Sequence, residues 1–148
     1  MQEVSIKRLG LFDLYDAKLL FLQFQREDGI SFPKVATEGR ISQLLEDDHF
    51  IVLAAYHGSH LLGGLTAYVL DLYKNNGHKI ILYEIGVPST KRRKGIGRKL
   101  MEDLKARSRE LGATELLIPA NHSNPDAQAF YTAMMAEAEP DLMIYKLS

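Results

Sequence analysis

The spacing of apolar and polar positions changes several times along this chain, and each change marks an element. Val4 and Ile6 alternate with polar neighbours and predict a first strand. From Leu11 to Arg26 the apolar residues Leu11, Leu14, Tyr15, Leu19 and Leu22 recur at helical spacing, and Glu27-Asp28-Gly29 supplies a stop. A second helix is predicted from Thr37 to Glu46, with Ile41, Leu44 and Leu45 on one side. The unbroken run Phe50 to Tyr56 reads as a buried strand. His57-Gly58-Ser59-His60 then forms a hairpin turn, and Leu61 to Leu72 returns. Asn75-Asn76-Gly77 is a further turn, and Lys79 to Val87 is apolar enough for the centre of a sheet. The helical period resumes from Gly95 to Leu111 and stops at Gly112. Thr114 to Ile118 predicts a short strand. Asn124-Pro125 opens a helix running to about Ala136, and Leu142 to Leu147 is a last strand. The order β-α-α-β-β-β-α-β-α-β, hairpins followed by a βαβ unit, predicts a mixed α/β (α+β) sheet with helices on its faces.

At 148 residues the chain suffices for one domain, residues 1–148, and its 46% apolar and 25% charged residues are those of an ordinary globular protein. There is no cysteine, which removes a thiol nucleophile, a cysteine metal site and a disulfide scaffold, and fits a cytoplasmic setting. The five histidines have no metal-ligand spacing, so no metal is expected. No run approaches the roughly 18 apolar residues of a membrane span. The net charge of −1 argues against nucleic-acid or membrane partners. That charge is uneven. The first 74 residues carry 7 Lys/Arg against 10 Asp/Glu; the remainder carry 11 against 9, with the basic excess gathered between Lys91 and Lys99.

The basic run sits between a strand and a helix: Arg92-Arg93-Lys94-Gly95-Ile96-Gly97-Arg98. A helix start presents unbonded N–H groups and partial positive charge, and glycines there let an anion approach closely, so the run suits a pyrophosphate. A Walker loop fails for want of Gly-Lys-Ser/Thr. A dinucleotide fingerprint fails because Leu100 stands where a third glycine is required. The plain alternative is a solvated basic helix start, although cations at an N-terminus oppose the helix dipole unless an anion lies between them.

Arg92-x-x-Gly95-x-Gly97 after an apolar strand resembles the acetyl-CoA signature of the Gcn5-related N-acetyltransferase (GNAT) superfamily. Asn124, Ala127 and Phe130-Tyr131 are similar to its downstream helix motif. Within the superfamily, Thr66-Ala67-Tyr68-Val69-Leu70 and Tyr83-Glu84-Ile85-Gly86-Val87 look most like the type I aminoglycoside 3-N-acetyltransferases, with Glu84 for their Asp. The resemblance implies a GNAT-like fold: a central, mostly antiparallel sheet, a βαβ acetyl-CoA-binding unit and helices on both faces. It also makes a homodimer plausible. The chain departs from the pattern at Met134-Met135-Ala136, where a Gly-Phe pair is usual, and at Asn124-Pro125-Asp126, where the aminoglycoside enzymes have consecutive aspartates.

Acetyl transfer to an amine needs a proton acceptor, a donor for the developing oxyanion and a proton for the departing thiolate. Glu84, a carboxylate within an apolar strand, is the candidate base or cation anchor; the structural alternative is an acid paired with a core Arg or Tyr. By resemblance, the N–H of Ile85 is the oxyanion donor, and Val87 pairs with the pantetheine like an added strand. Gly86 within the strand marks a bulge, a ligand's close approach, or simple packing. Tyr131 is the candidate acid; the alternative is a core tyrosine with a satisfied hydroxyl. Arg92, Arg93, Lys94, Gly95, Ile96, Gly97, Arg98 and Asn124 complete the expected cofactor set, joining Ile85, Gly86 and Val87. Glu27, Asp28, Asp71, Glu84 and Asp126 form the expected acidic cleft for a small polycationic amine, an aminoglycoside above all. Peptide or polyamine acetylation, and a non-catalytic acyl-CoA-binding module, are the competing readings. The absence of cysteine favours direct attack in a ternary complex over an acyl-cysteine route.

Overall fold

The computed structural model describes residues 3–92, 94–121, 123–134, 136–139 and 141–148. Five strands form one sheet in the order of the chain: β1 (Val4–Arg8), β2 (Phe50–His57), β3 (His60–Asp71), β4 (His78–Gly86) and β5 (Ala113–Leu117). Neighbours run antiparallel up to β4, and β4 and β5 run parallel. The parallel step requires a crossover, which α3 (Ile96–Glu110) supplies. Helices α1 (Leu14–Glu27) and α2 (Glu38–Glu46) precede β2, and α4 (Pro125–Ala133) follows β5.

Alternation along β2 splits the core into two layers. Ile51, Leu53 and Ala55 face α3, meeting Leu100, Met101 and Leu104. Phe50, Val52, Ala54 and Tyr56 face α1 and α2, meeting Leu20, Phe24, Ile41 and Leu45. Burial of both faces explains why β2 reads as one unbroken apolar run. Helix α1 lies close on the sheet because two glycines admit it. A Cβ on Gly64 would come within 2.6 Å of the Leu20 side chain, and one on Gly86 within 2.7 Å of the Phe24 ring.

Two expectations are corrected. The predicted last strand, Leu142 to Leu147, is not a strand: those residues form no ladder, and Leu142, Met143, Ile144, Tyr145 and Leu147 are all exposed. Their alternation satisfies the strand pattern, but pattern without a paired edge does not make a strand. The bulge anticipated at Gly86 lies earlier. Gly86 pairs in register with Gly64, whereas Thr66 faces Glu84 and Ala67 faces Leu82, so Tyr83 is the extra residue. Close packing against Phe24 accounts for glycine at position 86.

Candidate active site

The bulge decides which side chains share a face. Leu82 and Ile85 belong with the α3-side core. The two residues between them turn the other way: the Tyr83 ring lies edge-on to Tyr68 at 5.5 Å, and Tyr68 in turn lies 5.0 Å from Phe50 of the α1-side core. Tyr83 and Glu84 therefore stand together on the α1 side of β4.

Beside them β4 loses its neighbour. Its pairing with β5 ends at Ile81 and Leu117, and among the described residues none pairs with the outer edge of β4 from Leu82 to Gly86. The fork opens a cleft of about 280 Å³. Phe24, Glu27 and Asp28 line it from the end of α1, and Leu82 to Gly86 from β4. Arg92, Pro119 and Tyr131 complete the wall.

Glu84 is half-buried in this cleft, and among the described residues no hydrogen bond or ion pair holds it. Burial, and then the nearby charge of Asp28, push its carboxyl above the ordinary glutamate range. Tyr131 is likewise half-buried, packs edge-on against Phe130 at 5.2 Å, and has no hydrogen-bond partner for its hydroxyl among the described residues. Burial raises its pKa, so the phenol keeps its proton. A paired structural acid and a satisfied core tyrosine each call for a partner, and among the described residues neither group has one. Thr66, which registers opposite Glu84, is buried and its hydroxyl has no partner; sequence reading does not single it out, because an ordinary strand threonine gives no signal.

The other edge of the cleft leads to the start of α3. Gly95 is its N-cap in the left-handed conformation, at φ 75°, and a Cβ there would meet open space, so backbone geometry selects the glycine. The first internal bond of the helix is Lys99 N–H to the Gly95 carbonyl, at 3.0 Å, which leaves the N–H groups of Ile96, Gly97 and Arg98 without helical acceptors. Ile96 sends its side chain into the core and offers only its backbone outward. Lys94 and Arg98 are exposed, and Arg98 also reaches Glu102 at 3.2 Å. Gly97 lies against Phe130, whose ring would be 3.4 Å from an added Cβ. Open amides, a left-handed glycine and flanking cations fit a diphosphate, so these residues could hold coenzyme A. Arg93 lies outside the described residues. The Arg92 Nε donates to the Val87 carbonyl at 2.9 Å, and its guanidinium stands 3.8 Å from Glu27. Arg92 thus ties the loop before α3 to the end of α1.

Not every predicted residue joins the cleft. Asp71 does not: it ends β3, accepts hydrogen bonds from His49 and His78 at 2.8 Å each, and registers opposite His78, the first residue of β4. Those bonds hold its carboxyl below the ordinary range. Among the described residues no cluster of His, Cys, Asp or Glu could hold a metal ion. Asn124 is the N-cap of α4, accepting from the Ala127 N–H at 3.1 Å, and it does not line the cleft. Asp126 is exposed in the first turn of α4, also outside the lining.

The profile of the acetyltransferase (GNAT) family matches residues 13–135. An aminoglycoside acetyltransferase from an uncultured soil metagenomic sample, solved in complex with sisomicin, superposes with a TM-score of 0.89 at 26% identity, covering 98% of this chain and 97% of that one. The same enzyme in complex with trehalose gives 0.88 at the same identity and coverage. A ribosomal-protein-alanine N-acetyltransferase from Brucella melitensis, at 23% identity and a TM-score of 0.82, covers 99% of this chain and 97% of its own, and shares the fold. No curated protein matches the chain.

Proposed function

The chain belongs to the acetyltransferase (GNAT) family, and on that premise we propose that it moves acetyl from acetyl-CoA to an amine of a small cationic acceptor. The observation that carries the reading is that Glu84 and Tyr131, neither with a hydrogen-bond partner among the described residues, line one cleft that opens where β4 and β5 part. Acetyl-CoA, when bound, supplies the thioester. The open amides of Ile96, Gly97 and Arg98 would hold its diphosphate, and the free edge of β4 at Ile85, with Val87 just beyond the strand, would align its pantetheine.

Glu84 takes the proton of the attacking ammonium, directly or through water. Its raised pKa makes it a better base near neutrality than an ordinary glutamate. Glu27 and Asp28 keep a cation in place on the same side. A backbone N–H of β4, that of Ile85 by the sequence resemblance, donates to the oxygen on which charge develops. Tyr131 holds a proton that it can give to the departing thiolate. An aminoglycoside is the acceptor class that the likeness to the soil enzyme supports, and its 3-amino group is the position that the sequence resemblance implies. The test is acetyl-CoA consumption against aminoglycosides, polyamines and peptides, with the acetylated position assigned by NMR. Turnover of an aminoglycoside at the 3-amino group supports the reading. Turnover of peptides alone removes the acceptor class, and coenzyme binding without turnover of any amine removes catalysis.

A further inference from the structure

A second concavity, about 570 Å³, opens off the cleft and shares Leu82, Tyr83 and Pro119 with it. Its origin lies in the seating of α1. That helix presses on the sheet at Gly64 and Gly86, and so leaves the opposite half of the same face uncovered. There Tyr68 and Leu70 of β3 and Ile81 and Tyr83 of β4 form a floor, and Leu44 of α2 and Ile144 flank it. Tyr68 is 37% exposed, Leu70 42% and Tyr83 65%. Rings and hydrocarbon facing water side by side are the mark of a binding surface rather than of scattered surface apolar residues.

The polar groups are unevenly placed around this joined space. The carboxylates of Asp28 and Glu84 stand at the cleft end, with Glu27 beside the Arg92 guanidinium at 3.8 Å. At the far rim Asp47 stands beside His49, which is hydrogen-bonded to Asp71. We propose that the groove is a second acceptor subsite, and that the preferred acceptor is an amphiphilic amine: its ammonium sits at Glu84 and a hydroxyl-free carbon chain or ring lies over Tyr68, Leu70 and Ile81. Continuity of the two spaces and the concentration of acid at one end match such a molecule. A uniformly hydroxylated body would lose hydration against the hydrocarbon of Leu70 and Ile81, with only the phenol hydroxyls of Tyr68 and Tyr83 to return hydrogen bonds. The inference rests on the acetyl-transfer reading above and sets an amphiphilic amine against the aminoglycoside as its acceptor.

The test compares two primary amines on the same carbon chain, hexylamine and its polyhydroxylated counterpart 1-amino-1-deoxysorbitol, with sisomicin as a third acceptor. Each methylene withdrawn from water is worth about fourfold in affinity, so kcat/KM for hexylamine should exceed that for the amino alcohol at least about tenfold. Leu70→Gln, at a part-exposed position of the groove floor, should cut that preference about fivefold while leaving the melting temperature unchanged. Ile144→Gln, at the opposite wall, should act in the same direction. Equal rates for the two amines, or a preference that survives both substitutions, overturns the groove and leaves acetyl transfer standing. So does sisomicin turnover with hexylamine inert. A dimer whose mass in sedimentation falls on Leu70→Gln, with no change in amine preference, assigns the groove to a second copy of the chain and also overturns it. Inertness toward all three amines removes both the transfer reading and the subsite.

Discussion

The two ends of the β3–β4 pair each carry a carboxylate, and the chain treats them in opposite ways. At one end Asp71 is held by His49 and His78, and its pKa is lowered by those bonds. There β4 is paired on both sides, with β3 and β5. At the other end, among the described residues, Glu84 has no hydrogen-bond or ion-pair partner and β4 pairs only with β3, and the Glu84 pKa is raised. A carboxylate whose hydrogen-bonding capacity is used within the fold belongs to the fold. One left unmatched in a cleft is kept for something that is not part of the chain.

The largest effect that would break this contrast is on the rate. Glu84→Gln keeps shape and removes the base, so kcat/KM with the best amine should fall about 100-fold or more. The same variant should not lose stability. The raised pKa means that the folded state binds a proton more tightly than the unfolded one, so the ionised carboxylate opposes folding as pH rises above the ordinary 4.5. Melting curves at neutral pH should therefore show the variant equal to or above the parent. A drop in melting temperature with little change in rate would make Glu84 structural.

Tyr131→Phe should lower kcat about tenfold and leave acetyl-CoA affinity by calorimetry within about twofold, because the ring packing against Phe130 is retained. Gly86→Ala probes the seating of α1. Its new Cβ would collide with Phe24, and urea unfolding should report a loss of about 1–3 kcal/mol.

The smallest effect belongs to Asp71→Asn. Its depressed pKa gives stability that is present above the ordinary 3.8 and lost as pH falls through the folded value. The raised pKa of His49, set mainly by its bond to Asp71, gives stability that is present below the ordinary 6.5 and lost as pH rises through the folded value. The difference in melting temperature between parent and Asp71→Asn should accordingly be widest between pH 3.8 and 6.5, and should narrow outside that window.

This contrast also marks how far the amino-acid sequence could be read. The turns, the α3 start and the buried run of β2 were legible because local periodicity, apolar runs and glycine placement specify them. Glu84 stood out as an acid in an apolar strand. Asp71 looked equally available, since nothing in a linear sequence brings His49 within reach of a residue 22 positions later. The bulge at Tyr83 was invisible for a related reason: it is a property of register between β3 and β4, and Thr66-Ala67 carries no turn chemistry. The segment from Leu142 to Leu147 has strand composition, but composition cannot supply a neighbouring edge.

The fork after Ile81 has a consequence for solvent access to the main chain. Amides of β4 point alternately to its two neighbours; before the fork both sets find a partner strand, whereas beyond it, among the described residues, only those directed at β3 do, so deuterium uptake along this one strand should be stepped instead of uniform. Addition of coenzyme A should slow uptake from Leu82 to Gly86 and at the start of α3, and leave His78 to Ile81 as they were.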